Sequence, residues 1–152
     1  MVEPIRLSRQ QLCGDPNVVW NAFVGLLAET ESNQLTATQR AAQLVFLYES
    51  EVQNGGHLQF FENIGTGQIH DLVGALKRLG AACHANVLAV AGERWSEKDR
   101  LKIRSVEEYV GIAREGEFES LDRAFHECQP TLVDALEGYL RQHEPDFVVF
   151  AD

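Results

Sequence analysis

The side chains able to do chemistry in this chain are few and scattered. Its five histidines, His57, His70, His84, His126 and His143, include no HxxxH or HExxH pair, the spacings that turn two imidazoles of one helix toward a metal. Cys83 and His84 are adjacent, so on a helix they point about 100° apart and do not share one ion easily. Nucleophilic catalysis has no firmer footing. There is no GxSxG or SxxK pattern, and Cys83 and Cys128 fall on apolar faces of predicted helices, where a thiol resists ionisation. Gly65-Thr66-Gly67 lacks the strand-helix context and the lysine of a phosphate-binding loop and reads as a helix-capping turn. Carboxylates that could pair for acid-base hydrolysis are plentiful, but none is flanked by an apolar run that would raise its pKa. The expectation is a chain with no catalytic residue, no metal and no cofactor.

The densest group of unusual residues is Asn54-Gly55-Gly56-His57-Leu58-Gln59-Phe60-Phe61-Glu62-Asn63. Glycines accept bent backbone, and asparagine side chains tie off backbone groups at helix ends. Amides and one imidazole suit capping better than bond-breaking, so the segment reads as the brace of a helix-turn-helix joint. The rival reading is a small enzyme or ligand pocket beside the turn, with His57, Gln59 and Asn63 as its polar groups.

The elements that hold these residues are predicted to be helical. Asp15-Pro16 precedes apolar residues at Val19, Trp20, Phe23, Leu26 and Leu27. Thr36-x-x-Gln39 is a capping box that opens a helix with Leu44, Leu47, Tyr48 and Val52 on one face, and the glycines at 55 and 56 are expected to end it. Ile69, Leu72, Val73, Leu76 and Leu79 form a clear stripe, with Lys77 and Arg78 favourably placed in its last turn. Residues 81–91 read as a small-residue helix with Cys83, Val87 and Val90 inward. Residues 93–104 are charged and read as a flexible connection. Ser105-x-x-Glu108 is a second capping box and opens a helix with Val106, Tyr109, Val110 and Ala113 inward. Phe118, Leu121, Phe125 and Cys128 repeat at helical spacing, and Pro130 leads into a last helix with Leu132, Leu136, Tyr139 and Leu140 inward. Phe147 to Phe150 is an apolar tail, either a short strand or an extended segment docked on the core. The sum is an all-α single compact domain, 1–152, of about seven or eight helices, with 1–14 and 145–152 peripheral.

The chain has 152 residues, 45% hydrophobic and 24% charged, enough for one domain with its own core. No apolar run is long enough for a membrane span, and the first residues lack the apolar core of a secretory signal. Three cysteines in no paired pattern suggest reduced thiols in a cytoplasm. The net charge is −10, and its distribution is uneven: residues 105–152 hold 3 basic and 12 acidic side chains. Direct binding of nucleic acid or an anionic membrane through that end is disfavoured, and a basic partner is favoured.

NGGHLQFFENIG, residues 54–65, resembles the turn that marks a bacterial DNA-mimic protein family: Asn-Gly-Gly, then Gln, aromatics and Asn, here Asn54, Gly55, Gly56, Gln59, Phe60, Phe61 and Asn63. Residues 75–81, ALKRLGA, and 118–125, FESLDRAF, followed by Tyr139, His143 and Phe147, are similar to two further stretches of that family, in the same order along roughly 18–150. His57 stands where the resemblance would put a large apolar residue. The resemblance implies a protein of transcription regulation that occupies the DNA-binding surface of a transcription factor or histone-like protein. A structural or accessory protein without mimicry is the remaining alternative.

Mimicry requires carboxylates on an exposed face. At 100° per residue, Glu108 and Glu115 lie opposite the apolar side of their helix, and Asp134 and Glu137 opposite theirs, while Glu107, Glu119, Asp122 and Glu127 complete the candidate acidic surface. Duplex DNA carries one charge per ~1.7 Å of axis, so ten charges match only ~17 Å. Half-sites of a repressor dimer lie ~34 Å apart, so the expectation is a homodimer, or a partner that binds through one small module.

Overall fold

The computed structural model describes residues 1–151. Its elements run β1 (Ile5–Leu7), α1 (Arg9–Gly14), α2 (Val18–Glu29), α3 (Ala37–Ile64), α4 (Ile69–Arg78), α5 (Ala82–Ser96), α6 (Val106–Arg114), α7 (Glu119–Glu127), α8 (Leu132–Gln142), α9 (Glu144–Phe147) and β2 (Val148–Phe150). The all-α single-domain expectation holds, with seven of these helices longer than two turns. None is long and apolar enough to cross a membrane.

The long helix α3 is the spine, packed against α2, α4, α7, α8 and α9. Thr36 opens it through the capping box: its hydroxyl accepts from the Gln39 N–H at 3.2 Å, and the Gln39 side chain accepts from the Thr36 N–H at 2.9 Å. The same Gln39 amide then donates to the Asp146 carbonyl at 2.8 Å, and Gln43 donates to the Leu27 and Thr30 carbonyls that α2 leaves open at its end. Buried amides thus satisfy carbonyls that no helix ladder reaches. Around α3 the core gathers Phe23, Leu27, Tyr48, Phe60, Phe61, Leu72, Leu76, Leu88, Leu132 and Leu136, all nearly solvent-free.

Several expectations are corrected. The glycines at 55 and 56 leave helical dihedrals, as expected of a helix end, but a second helical run follows directly to Ile64, so that α3 is two helices joined at a bend. The last residues are not peripheral: Phe147 is fully buried with its ring edge-on to Phe23 at 4.8 Å, and Val148–Phe150 pairs in parallel with Ile5–Leu7. In α5 the inward residues are His84, Ala85, Val87, Leu88 and Ala91, while Cys83 and Val90 face out. The stripe there is offset by one position, because runs of small residues leave the helical phase undetermined. The thiols are not all reduced: Cys83 and Cys128 form a disulfide that ties the start of α5 to the end of α7, and Cys13 alone is free. Two cysteines 45 residues apart carry no pairing signal in their spacing, and the argument that reduced thiols gave for a cytoplasm falls with them.

The charged stretch 93–104 is pinned. Arg100 forms a bidentate pair with Glu117, at 2.9 and 2.6 Å, and lies 4.1 Å from the Trp95 ring. The helix it leads into departs most from expectation. α6 buries no side chain: Val106 is 75% exposed and Val110 39%, and Tyr109 and Ile112 are half-buried. Half of its capping box forms: Ser105 accepts from the Glu108 N–H at 3.1 Å, but the Glu108 carboxylate accepts from the Arg104 N–H at 2.8 Å in place of that of Ser105.

Candidate functional site

The bend in α3 is built by Gly55 and Gly56. Gly56 has φ 72°, ψ −172°, in a region costly for residues with a Cβ, and a Cβ there would collide with the Asp122 carboxylate. A Cβ on Gly55 would strike the Gln59 side chain. The bend interrupts the helix ladder and frees the N–H of His57. Asp122, brought in by α7, fills the gap: its Oδ1 accepts from the His57 backbone at 2.9 Å and lies 2.7 Å from the ring Nδ1. The other ring nitrogen, Nε2, lies 2.7 Å from the Tyr48 hydroxyl. With Nδ1–H donating to the carboxylate, Nε2 accepts the Tyr48 O–H, and both ring nitrogens are used. Burial, then the Asp122 and Glu49 charges, push the Tyr48 phenol well above its ordinary value, which keeps it a donor.

A second set of bonds holds the bend from outside. Glu51 lies before it, and its carboxylate accepts from Gln59 at 2.8 Å and Asn63 at 2.9 Å, which lie after it. Gln59 in turn accepts from Asn54 at 3.1 Å. Phe60 and Phe61 leave the joint on the inner side, each 2% exposed. The residues Asn54, Gly55, Gly56, Gln59, Phe60, Phe61 and Asn63 therefore make one device: glycines that bend, amides that clasp and rings that anchor.

As chemistry, this Tyr-His-Asp chain is closed. The His57 ring is fully buried, and both its nitrogens are committed. A cavity of about 230 Å³ lies beside Asp122, lined by Gly55, Leu58, Ile112 and Phe118 among others, but His57, Gln59 and Asn63 do not line it. Among the described residues no group of His, Cys, Asp and Glu could hold a metal ion.

The eight carboxylates of the candidate acidic surface are placed unequally. Glu107, Glu108 and Glu115 on or beside α6, Glu119 and Glu127 on α7, and Asp134 on α8 are exposed. Glu137 is half-buried. Asp122 is set apart from the rest: its side chain is 32% exposed, and one of its carboxylate oxygens is held by His57. Among the described residues Glu119 is the only one of the eight paired with an arginine, Arg123 at 3.6 Å, and both are largely exposed, so that pair screens little. Glu107, Glu108, Glu119, Asp122 and Asp134 also sit in first turns, where carboxylates favour the helix dipole. Glu117, outside that set, is neutralised within the chain: Arg100 pairs with it and holds its carboxyl below the usual range.

Sequence reasoning missed Tyr48 as a partner of His57, and for a physical reason. Nine residues span two and a half turns of straight helix, which would put the two side chains on opposite faces; the bend brings them together. It also missed His84, buried against Phe125 with no partner for Nδ1, whose pKa burial lowers to about 4.

Residues 33–143 match the family model described as DMP19-like protein. No curated protein and no solved structure matches the chain.

Proposed function

The chain belongs to the DMP19-like protein family, and from that premise we propose that it works by binding, not by catalysis: it is a DNA mimic whose acidic surface occupies the DNA-binding face of a basic transcription factor or histone-like protein. The observation that carries this reading is the exposure of Glu119, Glu127 and Asp134 on α7 and α8, in a third of the chain with 12 acidic and 3 basic side chains. Carboxylates without buried partners keep their field for a ligand. The charge of one chain, set against one phosphate per ~1.7 Å of duplex, supports action as a homodimer. The function requires the compartment in which such partners meet DNA, the cytoplasm of a bacterial cell. The rival pocket reading gains nothing from the joint, because its imidazole is enclosed.

The test is retention of a histone-like protein and of a repressor on the immobilised chain at low salt. Retention is expected to fall steeply as salt rises, because the attraction is screened, and to be displaced by duplex DNA. The triple reversal Glu127→Lys, Asp134→Lys, Glu137→Lys is expected to abolish it with helicity unchanged. Retention that DNA does not displace, or that survives the triple reversal, removes the reading.

A further inference from the structure

The two halves of the disulfide have unlike surroundings. Cys83 is exposed, whereas Cys128, at the end of α7, is only 3% exposed. An incoming thiolate therefore reaches the Cys83 sulfur, and Cys128 is the sulfur that leaves. Cys83 is the second residue of α5, a helix of 15 residues with no side-chain cap and no acidic side chain in its first turn. A thiolate released there lies at the positive end of the helix dipole, which favours the open form. The two sulfurs also have room to part. Cys128 lines a cavity of about 230 Å³ together with His84, Phe125 and Thr131, and His84, 1% exposed, leaves its Nδ1 without a partner. A close-packed core would resist such a separation.

What the bond holds is the acidic surface. It anchors the link between α7 and α8 to the start of α5. Glu127 and Asp134 lie on either side of that link, and α7 also carries Glu119 and the Asp122 that secures the joint at His57. A fixed array of charges meets its partner already ordered, while a loose one loses affinity to the ordering. A lasting disulfide is also at odds with the cytoplasm that the mimicry reading requires, where such bonds are as a rule transient and either catalytic or redox-sensing.

We propose that the Cys83–Cys128 disulfide is a redox switch: a dithiol reductant opens it through Cys83, and the opening loosens α7 and weakens the hold on the basic partner. The inference rests on the mimicry reading above and names its regulation. A thiolate of the reductant attacks the Cys83 sulfur and forms a mixed disulfide. The bond to Cys128 breaks, and Cys128 leaves with the electron pair and takes up a proton. The second thiol of the reductant, deprotonated, then attacks the reductant's own sulfur in the mixed disulfide. Cys83 leaves as the thiolate, and the reductant departs as its internal disulfide. Two electrons pass to the protein, and an excess of oxidised dithiol reverses the sequence.

The experiment uses the full chain with Cys13→Ser, so that only this pair of thiols is counted. The oxidised, folded chain is treated with reduced dithiothreitol without denaturant, and its thiols are alkylated and counted by mass. Two labels are expected, with helicity retained by circular dichroism. A single-thiol probe, glutathione, is expected to be caught on Cys83 and not on Cys128. On reduction, hydrogen exchange of the α7 amides is expected to quicken at least tenfold, and retention of a histone-like protein at low salt to fall at least fivefold. Reoxidation restores both, and Cys83→Ser with Cys128→Ser stays at the reduced level. A bond that dithiothreitol opens only in denaturant overturns the proposal, as does glutathione caught on Cys128. Exchange or retention that is equal in the two states, or retention that strengthens on reduction, overturns it as well. The two readings fail distinguishably: equal retention in both states loses only the switch, whereas retention in neither removes the mimicry and the switch with it.

Discussion

The joint at 54–63 and the helix α6 carry equally plain sequence signals and meet opposite fates. At the joint both nitrogens of the His57 ring find partners in Tyr48 and Asp122, and the neighbouring rings are buried. In α6 a serine cap leads into a helix that is at most half-buried, through Tyr109 and Ile112. The joint is held by contacts that one chain supplies to itself. α6 shows that an apolar pattern states a need for cover without stating which molecule provides it.

The sharpest way to break this contrast is Gly56→Ala. A left-handed backbone on an L-residue costs about 1–2 kcal/mol and displacing Asp122 forfeits charge-assisted hydrogen bonds worth about 1.5–3 kcal/mol, so urea unfolding is expected to show a loss of about 4 kcal/mol. A loss below about 1 kcal/mol would mean that the bend is not held as described. Next is the disulfide, which fixes the end of the helix that delivers Asp122. Reduction opens a loop of 45 residues and is expected to cost about 3 kcal/mol, read as a lower unfolding midpoint in dithiothreitol that Cys83→Ser with Cys128→Ser reproduces.

His57→Phe keeps the volume but strands the Tyr48 hydroxyl and the Asp122 carboxylate, at an expected cost of about 2–3 kcal/mol. His84, which packs on the ring of Phe125 in the same helix as Asp122, supplies a pH arm. Its folded pKa of about 4 lies below the ordinary 6.5, so the unfolded chain holds the extra proton between those values. Stability is full above pH 6.5 and declines as pH falls toward 4. One pKa unit is worth about 1.4 kcal/mol, so the expected loss is on the order of 2–3 kcal/mol. His84→Leu is expected to flatten that part of the pH-stability curve. The smallest effect belongs to α6: Val106→Ala, in a solution dilute enough for single chains, is expected to change stability by less than about 0.5 kcal/mol. A large loss there would erase the distinction between the two regions.

Legibility in the sequence follows the range of the interaction. The capping box at Thr36 and the stripes of α4 and α8 depend on residues three or four apart, and they stand in the structure as read. The Asp122 bond to His57 spans 65 residues and the disulfide 45, and neither leaves a periodic trace. Asp122 looked like its acidic neighbours because a carboxylate's type does not say whether its lone pairs face water or an imidazole. The motif residues were visible as a group, while the clasp they make on Glu51 appears only once the bend is known.

The pairing of β1 with β2 has a mechanical side. The strands run in the same direction, with Ile5 opposite Val148 and Leu7 opposite Phe150, so tension applied to the two ends of the chain pulls them along their length in opposite senses. The rungs of that small ladder are then loaded in shear, all together rather than one after another, and the helices behind it feel no stretch until it slips.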